Sequence, residues 1–409
     1  MSVRVNKSIT VNGIVIELTD LIDHPWAFID ILRTQFSEST FEMKSSETYE
    51  NYLKRLFALL YYRQNKPNRS SRPARQQADN MQKLDESDDL CFNIIRRSPK
   101  SSRVVFKNSG HIYRLNNESL NLLIDAAKSK SNQKFKTSDK FIGVELEFLG
   151  DNDKLIDFTS KMRELVGSDK FSAPMRYLRN NGDKWVLGID GSVNPRRNDK
   201  EYTIRHRGFE LTSPILKLSS KKDMNTLAKV CSLIKDVFGG YTNRTCGTHV
   251  HMSFPVDSSY MTDIRFAFNE CDFLCHFVRS YRKSESSLFD RLVTSGRRDN
   301  KNKYCKTASV SYMHSRYRKI NVTNYTPKSD HLHLEFRQLN GTLDSDIIIS
   351  WSRLQAFFVD SALKSWTTAK SDEVEPIISQ IKLEDVIVSD VFKNSDSAEH
   401  LMKMAKIIS

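Results

Sequence analysis

Three short stretches of the chain alternate apolar and polar residues with period two, the pattern of strands that bury one face. In Ile142-Gly-Val-Glu-Leu-Glu-Phe148, residues Ile142, Val144, Leu146 and Phe148 share one side, and Glu145 and Glu147 the other. In Thr248-His-Val-His-Met-Ser-Phe254, Val250, Met252 and Phe254 oppose His249, His251 and Ser253. In His331-Leu-His-Leu-Glu-Phe-Arg-Gln-Leu339, Leu332, Leu334 and Phe336 oppose His331, His333, Glu335 and Arg337. Two further segments fit between these strands. Trp185–Ile189 runs into a turn at Asp190, and Gly208-Phe-Glu-Leu-Thr-Ser-Pro214 sets Glu210 opposite Phe209 and Leu211 before a strand-ending proline.

Helical spacing marks three other segments. Ser220–Phe238 lines up Leu227, Val230, Cys231, Ile234 and Val237 and stops at Gly239-Gly240. Phe266–Tyr281 is apolar, and Asp346–Lys364 turns Trp351, Leu354, Phe357 and Phe358 toward a core. These helices are expected to cover the apolar side of the strands. Towards the N-terminus, residues 9–19 place β-branched residues around an Asn-Gly and predict a hairpin. A helix is expected near Thr48–Tyr62, and a strand pair with a short helix over 102–127. Lys128–Lys140 has no apolar periodicity and marks a boundary. The expected fold class is therefore α+β: a curved, mainly antiparallel sheet with a polar concave face and helices behind it. An N-terminal accessory region (1–135) precedes the main domain (138–370), and a helical extension (371–409) follows it.

Composition limits the function classes. The 409 residues are 39% hydrophobic and 28% charged, enough for a large core under a polar surface. No run approaches the roughly 18 apolar residues of a membrane span, and no apolar segment of a secretory signal follows Met1. Six cysteines, at 91, 231, 246, 271, 275 and 305, have no framework spacing, so reduced thiols in a cytoplasmic protein are expected. Cys271 and Cys275 lack the second ligand pair of a structural zinc site and read as helix thiols. A net charge of +13 favours anionic partners. Between Lys54 and Arg75 there are seven Lys or Arg and no acid, which suits a polyanion patch or a solvated basic loop. The linker near 63–78 carries most of that charge.

The polar faces carry the chemistry. Glu145 and Glu147, roughly 7 Å apart on one face, repel each other unless protonated or bridged by a cation. His-x-His and Glu-x-Arg on neighbouring strands add metal ligands and a guanidinium suited to phosphoryl oxygens. Carboxylates and histidines ringed by arginines can hold divalent ions and a polyphosphate.

Six motifs occur in order: Gly143-Val-Glu-Leu-Glu-Phe148, Asp190-Gly-Ser192, Phe209-Glu-Leu-Thr-Ser-Pro214, Cys246-Gly-Thr-His-Val-His-Met-Ser253, Arg316-Tyr-Arg-Lys-Ile-Asn-Val-Thr323 and Leu334-Glu-Phe-Arg-Gln-Leu-Asn-Gly-Thr-Leu-Asp344. Together they resemble the amidoligase family, carboxylate–amine ligases related to glutamine synthetase and glutamate–cysteine ligase, over about Phe141 to Trp366. The resemblance implies a glutamine-synthetase-like domain that forms an amide from a carboxylate and an amine, with ATP as co-substrate and Mg2+ or Mn2+ as cofactor. It implies Glu145, Glu147, Glu210, His249 and Glu335 as metal ligands. It also implies Arg337, Arg316 and Asp190 at the reacting groups, and His251, Ser253, Arg337, Arg318 and Asn321 on the phosphates, with Arg316 and Arg318 as alternatives for one role. Only one glutamate lies near Gly208–Pro214, so the second metal site needs Asp190, Glu201 or substrate to complete it. Gly296–Lys303 is a candidate lid or a plain surface loop. Competing readings are a phosphotransferase on the same fold, a metal-dependent hydrolase using His249, His251 and Glu335, and a nucleic-acid-binding module.

Overall fold

The structure is a computed structural model. It describes residues 8–11, 14–17, 48, 52, 53, 56, 90–97, 100–129, 140–175, 182–255, 272–298, 301–310, 315–322, 331–371, 380–389, 391–392 and 395–408. The chain divides into two compact units, Met1–Gln82 and Lys83–Ser409. In the first, β1 (Ser8–Val11) pairs antiparallel with β2 (Ile14–Glu17), with Val11 opposite Ile14. The β-branched residues on either side of Asn12-Gly13 favour that pairing. Tyr52, Leu53 and Leu56 are helical and buried, as one face of the expected helix requires. The basic linker near 63–78 lies outside the described residues.

The second unit opens with an antiparallel three-stranded sheet of β3 (Phe92–Arg97), β4 (Ser101–Phe106) and β5 (Ile112–Asn116), followed by helix α1 (Asn117–Ser129). Among the described residues the main sheet has eight strands: β6 (Phe141–Asp151), β7 (Phe171–Met175), β8 (Trp185–Ile189), β9 (His206–Thr212), β10 (Leu216–Lys217), β11 (Thr248–Pro255), β12 (Ile320–Asn321) and β13 (His331–Phe336). Their order is β12-β13-β11-β6-β9-β8-β7, with β10 also on β6. All pairings are antiparallel except that of β7 with β8. The helices are α2 (Leu155–Val166), α3 (Lys221–Asp236), α4 (Asp272–Ser284), α5 (Ser345–Ser371), α6 (Leu383–Ile387) and α7 (Asp396–Met404). The fold is α+β with a mainly antiparallel sheet. No helix among the described residues is long and apolar enough to cross a membrane.

Alternation decides which sheet face the helices cover. Ile142, Val144, Leu146 and Phe148 are at most 1% exposed and share a core with Leu227, Val230 and Ile234 of α3. Phe148 lies 6.1 Å from Phe209 and 5.9 Å from Phe238, which stacks on Phe158 of α2 at 4.6 Å. Phe277 of α4 joins Phe336 of β13 to Phe358 of α5. Each such ring contributes about 2–3 kcal/mol by leaving water. Ser220 caps α3 by accepting from the Asp223 amide at 3.2 Å, and Gly239 follows the helix at φ +65°. The opposite sheet face, free of these helices, is left for polar side chains.

The C-terminal segment returns to the three-stranded sheet, where Ile408 bridges Leu115. Buried Glu399 of α7 accepts from Ser109 and from Tyr113 (2.7 Å), and pairs with Lys403 (2.7 Å) and His111 (3.1 Å). Burial would raise its pKa, but Lys403, Ser109, Tyr113 and His111 pull it from the usual 4.5 to about 2. A carboxylate with a depressed folded-state pKa stabilises the fold above its unfolded pKa, and that contribution fades as pH falls from 4.5 towards 2. Glu399→Gln is therefore expected to lower stability at pH 7 by about 2–3 kcal/mol. In thermal melts the gap to the wild type should narrow below pH 4.5.

Candidate functional site

Strand register assembles the site. Glu147 on β6 sits opposite Glu210 on β9. Glu145 on β6 sits opposite His249 on β11, and His251 on β11 sits opposite Glu335 on β13, which in turn faces Asn321 on β12. Because side chains alternate, all six strand-borne acids and histidines emerge on the face away from the helices. Asp190 joins from the turn after β8. Its amide bonds to Gly208 O (3.0 Å), and its Oδ1 accepts from the Ser192 amide (2.7 Å), an Asx turn. That turn crosses β9 so closely that a Cβ on Gly208 would lie 2.1 Å from Val193 O and 2.4 Å from Asp190 O. Glycine is required there for Asp190 to reach Glu210.

Two groups of potential ligands result. Glu145, His251 and Glu335 bring ligand atoms within 4.8 Å of one another, and so do Glu147, Asp190 and Glu210. His249, 3% exposed, lies between the groups: Nδ1 is 2.9 Å from Glu145 and 3.4 Å from Glu335, and Nε2 is 3.6 Å from Glu147. His251 Nε2 lies 2.8 Å from Glu145, and its Nδ1 is 3.0 Å from His333. Buried Glu335 accepts from Arg337 and from Asn321 Nδ2 (2.6 Å). Glu147 Oε2 accepts from the Gly247 amide at 2.6 Å.

The electrostatics separate the two groups. Burial would raise the Glu145 pKa, yet His251 and His249 outweigh it and hold the carboxyl well below the usual range. Glu335 is likewise lowered, with His249 and Arg337 overcoming its burial. His251 is raised against its burial by Glu145 and Glu335, whereas burial and His251 push His333 down to about 4. For Glu210 the largest influences all raise the pKa. Burial, then repulsion from Glu145, Glu147, Asp190 and Glu335, pushes it up to about 8. Acids confined in this way are what a divalent cation relieves. Residues 139–273 match the family model of the amidoligase enzymes.

That model carries the description "Putative amidoligase enzyme". No curated protein matches this chain. The amidoligase match spans β6 to the start of α4, and so contains Glu145, Glu147, Asp190, Glu210, His249 and His251. Glu335, Arg337 and Asn321 lie beyond it, and the sheet brings them to the same cluster.

Of the residues singled out in the sequence, Glu145, Glu147, Glu210, His249, His251, Glu335, Arg337, Asn321 and Asp190 meet on this face. Glu201 is exposed and in neither ligand group, so Asp190 is the acid that joins Glu147 and Glu210. Ser253 is exposed, with Oγ 2.8 Å from His333 Nδ1. Arg316 is exposed, with its guanidinium over the Tyr317 ring, and Arg318 donates to Thr307 O (3.1 Å). At the start of Gly296–Lys303, the 3-10 turn Ser295–Arg297 overlaps the segment and Arg297 is buried against the site. Arg297 and His333 are site residues that the sequence motifs do not mark. His333 shares the alternating face of β13 with Glu335, whereas nothing local distinguishes Arg297 from Arg298. Cys246 is buried in the turn before β11, and Cys275 is buried in α4.

The Glu210 shift has a sign that can be checked. A raised carboxylate pKa costs folding free energy above pH 4.5, and the cost grows until pH reaches about 8. Glu210→Gln is expected to stabilise the metal-free protein at pH 7, by about 2–3 kcal/mol, and to weaken stabilisation by added Mg2+ or Mn2+. Melting with chelator and with metal, at fixed pH, reads both effects.

Proposed function

We propose that the protein is an ATP- and magnesium-dependent ligase that joins a carboxylate to an amine. The observation that carries this reading is the pair of ligand groups on one sheet face, bordered by Arg337, with every member except Glu335 inside the segment that matches the amidoligases. The donor set suits hard divalent ions such as Mg2+ or Mn2+: five carboxylates and one imidazole in the two groups. Glu145, His251 and Glu335 would hold one ion, and Glu147, Asp190 and Glu210 another. Bound there, such ions would neutralise the oxygens of ATP's phosphates.

A carboxylate cannot expel oxide, so it needs activation before an amine can displace an oxygen. A substrate carboxylate oxygen attacks the γ-phosphorus and the bond to ADP breaks, giving an acyl phosphate. The amine nitrogen then attacks the acyl carbon, phosphate leaves with the C–O electron pair, and the nitrogen loses a proton. Arg337 stabilises charge spread over the transferring phosphoryl oxygens. His249 fixes the orientation of Glu145 and Glu147 between the two ion sites. The motif order of the sequence supports a glutamine-synthetase-like arrangement for this chemistry.

The test is ADP release with Mg2+ and ATP over panels of carboxylates and amines, with product masses. ADP formation that requires both partners, with a product equal to their sum less one water, is expected. ADP formed without amine, with a stable phosphorylated product, would instead mark a phosphotransferase. ATP-indifferent hydrolysis with tightly held zinc would mark a hydrolase.

A further inference from the structure

The turn that leads into β11 links a buried arginine to one of the acids through a single peptide group. Arg297 is 5% exposed, at the end of the 3-10 turn Ser295–Arg297. Its Nη2 donates to Cys246 O at 2.5 Å, and its Nη1 donates to Arg337 O at 3.4 Å. The Cys246 carbonyl belongs to the same peptide unit as the Gly247 amide, and that amide donates to Glu147 Oε2 at 2.6 Å. The carbonyl also accepts from the Gly341 amide at 3.1 Å, and Gly247 O accepts from the Glu147 amide at 3.1 Å. The peptide is therefore held on both edges. A Cβ on Gly247 would lie 2.8 Å from His249 Nε2, 3.0 Å from Arg297 Nη2 and 3.3 Å from Glu147 Oε2, so these three groups ring one point.

We propose that Arg297 is a positioning residue for the Glu147–Asp190–Glu210 group, acting on Glu147 through the Cys246–Gly247 peptide. A guanidinium on the carbonyl draws electron density from the peptide and makes its N–H a stronger donor. That N–H fixes Oε2 of Glu147, which leaves Oε1 on the side of His249 and sets the carboxylate plane relative to Glu210. Glycine at 247 leaves the three groups the space to converge. Among the described residues the Glu145–His251–Glu335 group has no bond to this peptide, and the 3.4 Å bond from Arg297 to Arg337 O is the longer of its two, so the effect of Arg297 should fall mainly on the Glu147 group. The inference rests on reading both groups as divalent-cation sites.

The test is a Mn2+ titration of the full chain, followed by the EPR signal of free Mn2+. Asp190→Asn and His251→Gln identify which binding class belongs to which group. Arg297→Met is expected to weaken the Asp190-dependent class by about 10–100-fold and leave the His251-dependent class within about threefold. Arg297→Lys, which can still donate to Cys246 O, should recover part of the loss. Equal weakening of both classes, or no change in either, would overturn the proposal. If Arg297→Met does not fold, Arg297→Lys decides alone: selective weakening supports the proposal and a uniform or absent effect overturns it. A wild-type chain that binds no Mn2+ would instead refute the cation-site reading itself, which separates that failure from failure of the Arg297 role.

Discussion

Glu335→Gln is expected to lower amine-dependent ADP release by about a thousandfold or more. Glu335 is 3% exposed and has both oxygens engaged, one by Arg337 and one by Asn321 Nδ2. It also belongs to the group with Glu145 and His251, and lies 3.4 Å from His249. Glutamine keeps the shape but loses the charge, and its amide nitrogen would face a donor instead of accepting from one. The variant therefore loses an anionic metal ligand and leaves the Arg337 guanidinium without its counter-charge. Loss of several kcal/mol of charge stabilisation at the phosphoryl group corresponds to about that rate factor. The fall should appear in kcat/KM at every ATP concentration, and the same variant should lose the Glu145- and His251-dependent cation class. Wild-type-like turnover would remove Glu335 from the site.

Arg337→Lys is the second large effect, expected at about 10²–10³ in kcat with a small change in the KM for ATP. Arg337 is buried, which lowers its pKa, but Glu335 together with Glu145 and Glu147 raises it above the ordinary value, so the guanidinium stays charged. A planar fork can hold Glu335 and present further N–H groups to a phosphoryl oxygen, which a single ammonium cannot do. Charge builds up on the transferring group during the reaction, so the loss belongs in kcat. Cation affinity should change little, because lysine retains the positive charge beside Glu335. A rise in KM alone would reassign Arg337 to ground-state binding.

Much of the site was legible because strand alternation is a local property. Glu145, Glu147, His249, His251, Glu335 and Arg337 each follow from the apolar residues beside them. Alternation does not give strand order. That β11 lies between β6 and β13, so that His251 faces Glu335, is set by long-range pairing. Asp190, Glu201 and substrate stand as alternatives in the sequence for completing the second site, and the close crossing at Gly208 is what brings Asp190 there. Arg297 is not legible in the sequence because its partners are the main-chain carbonyls of Cys246 and Arg337, which carry no sequence signal. Arg316 and Arg318 share a motif with Asn321, yet Asn321 donates to Glu335 while Arg316 lies over the Tyr317 ring and Arg318 donates to Thr307 O, contacts that the motif itself does not distinguish. β3 lies outside the strand pair expected over 102–127 and joins that sheet through its antiparallel pairing with β4.

The most direct test of the ligase reading is oxygen transfer from the carboxylate. With the carboxylate and amine that give product, 18O-labelled carboxylate should deliver one 18O to inorganic phosphate for each amide formed, because the acyl phosphate breaks at the carbon–oxygen bond. Amide formation with no label in phosphate, or ADP release with no amide product, would contradict it.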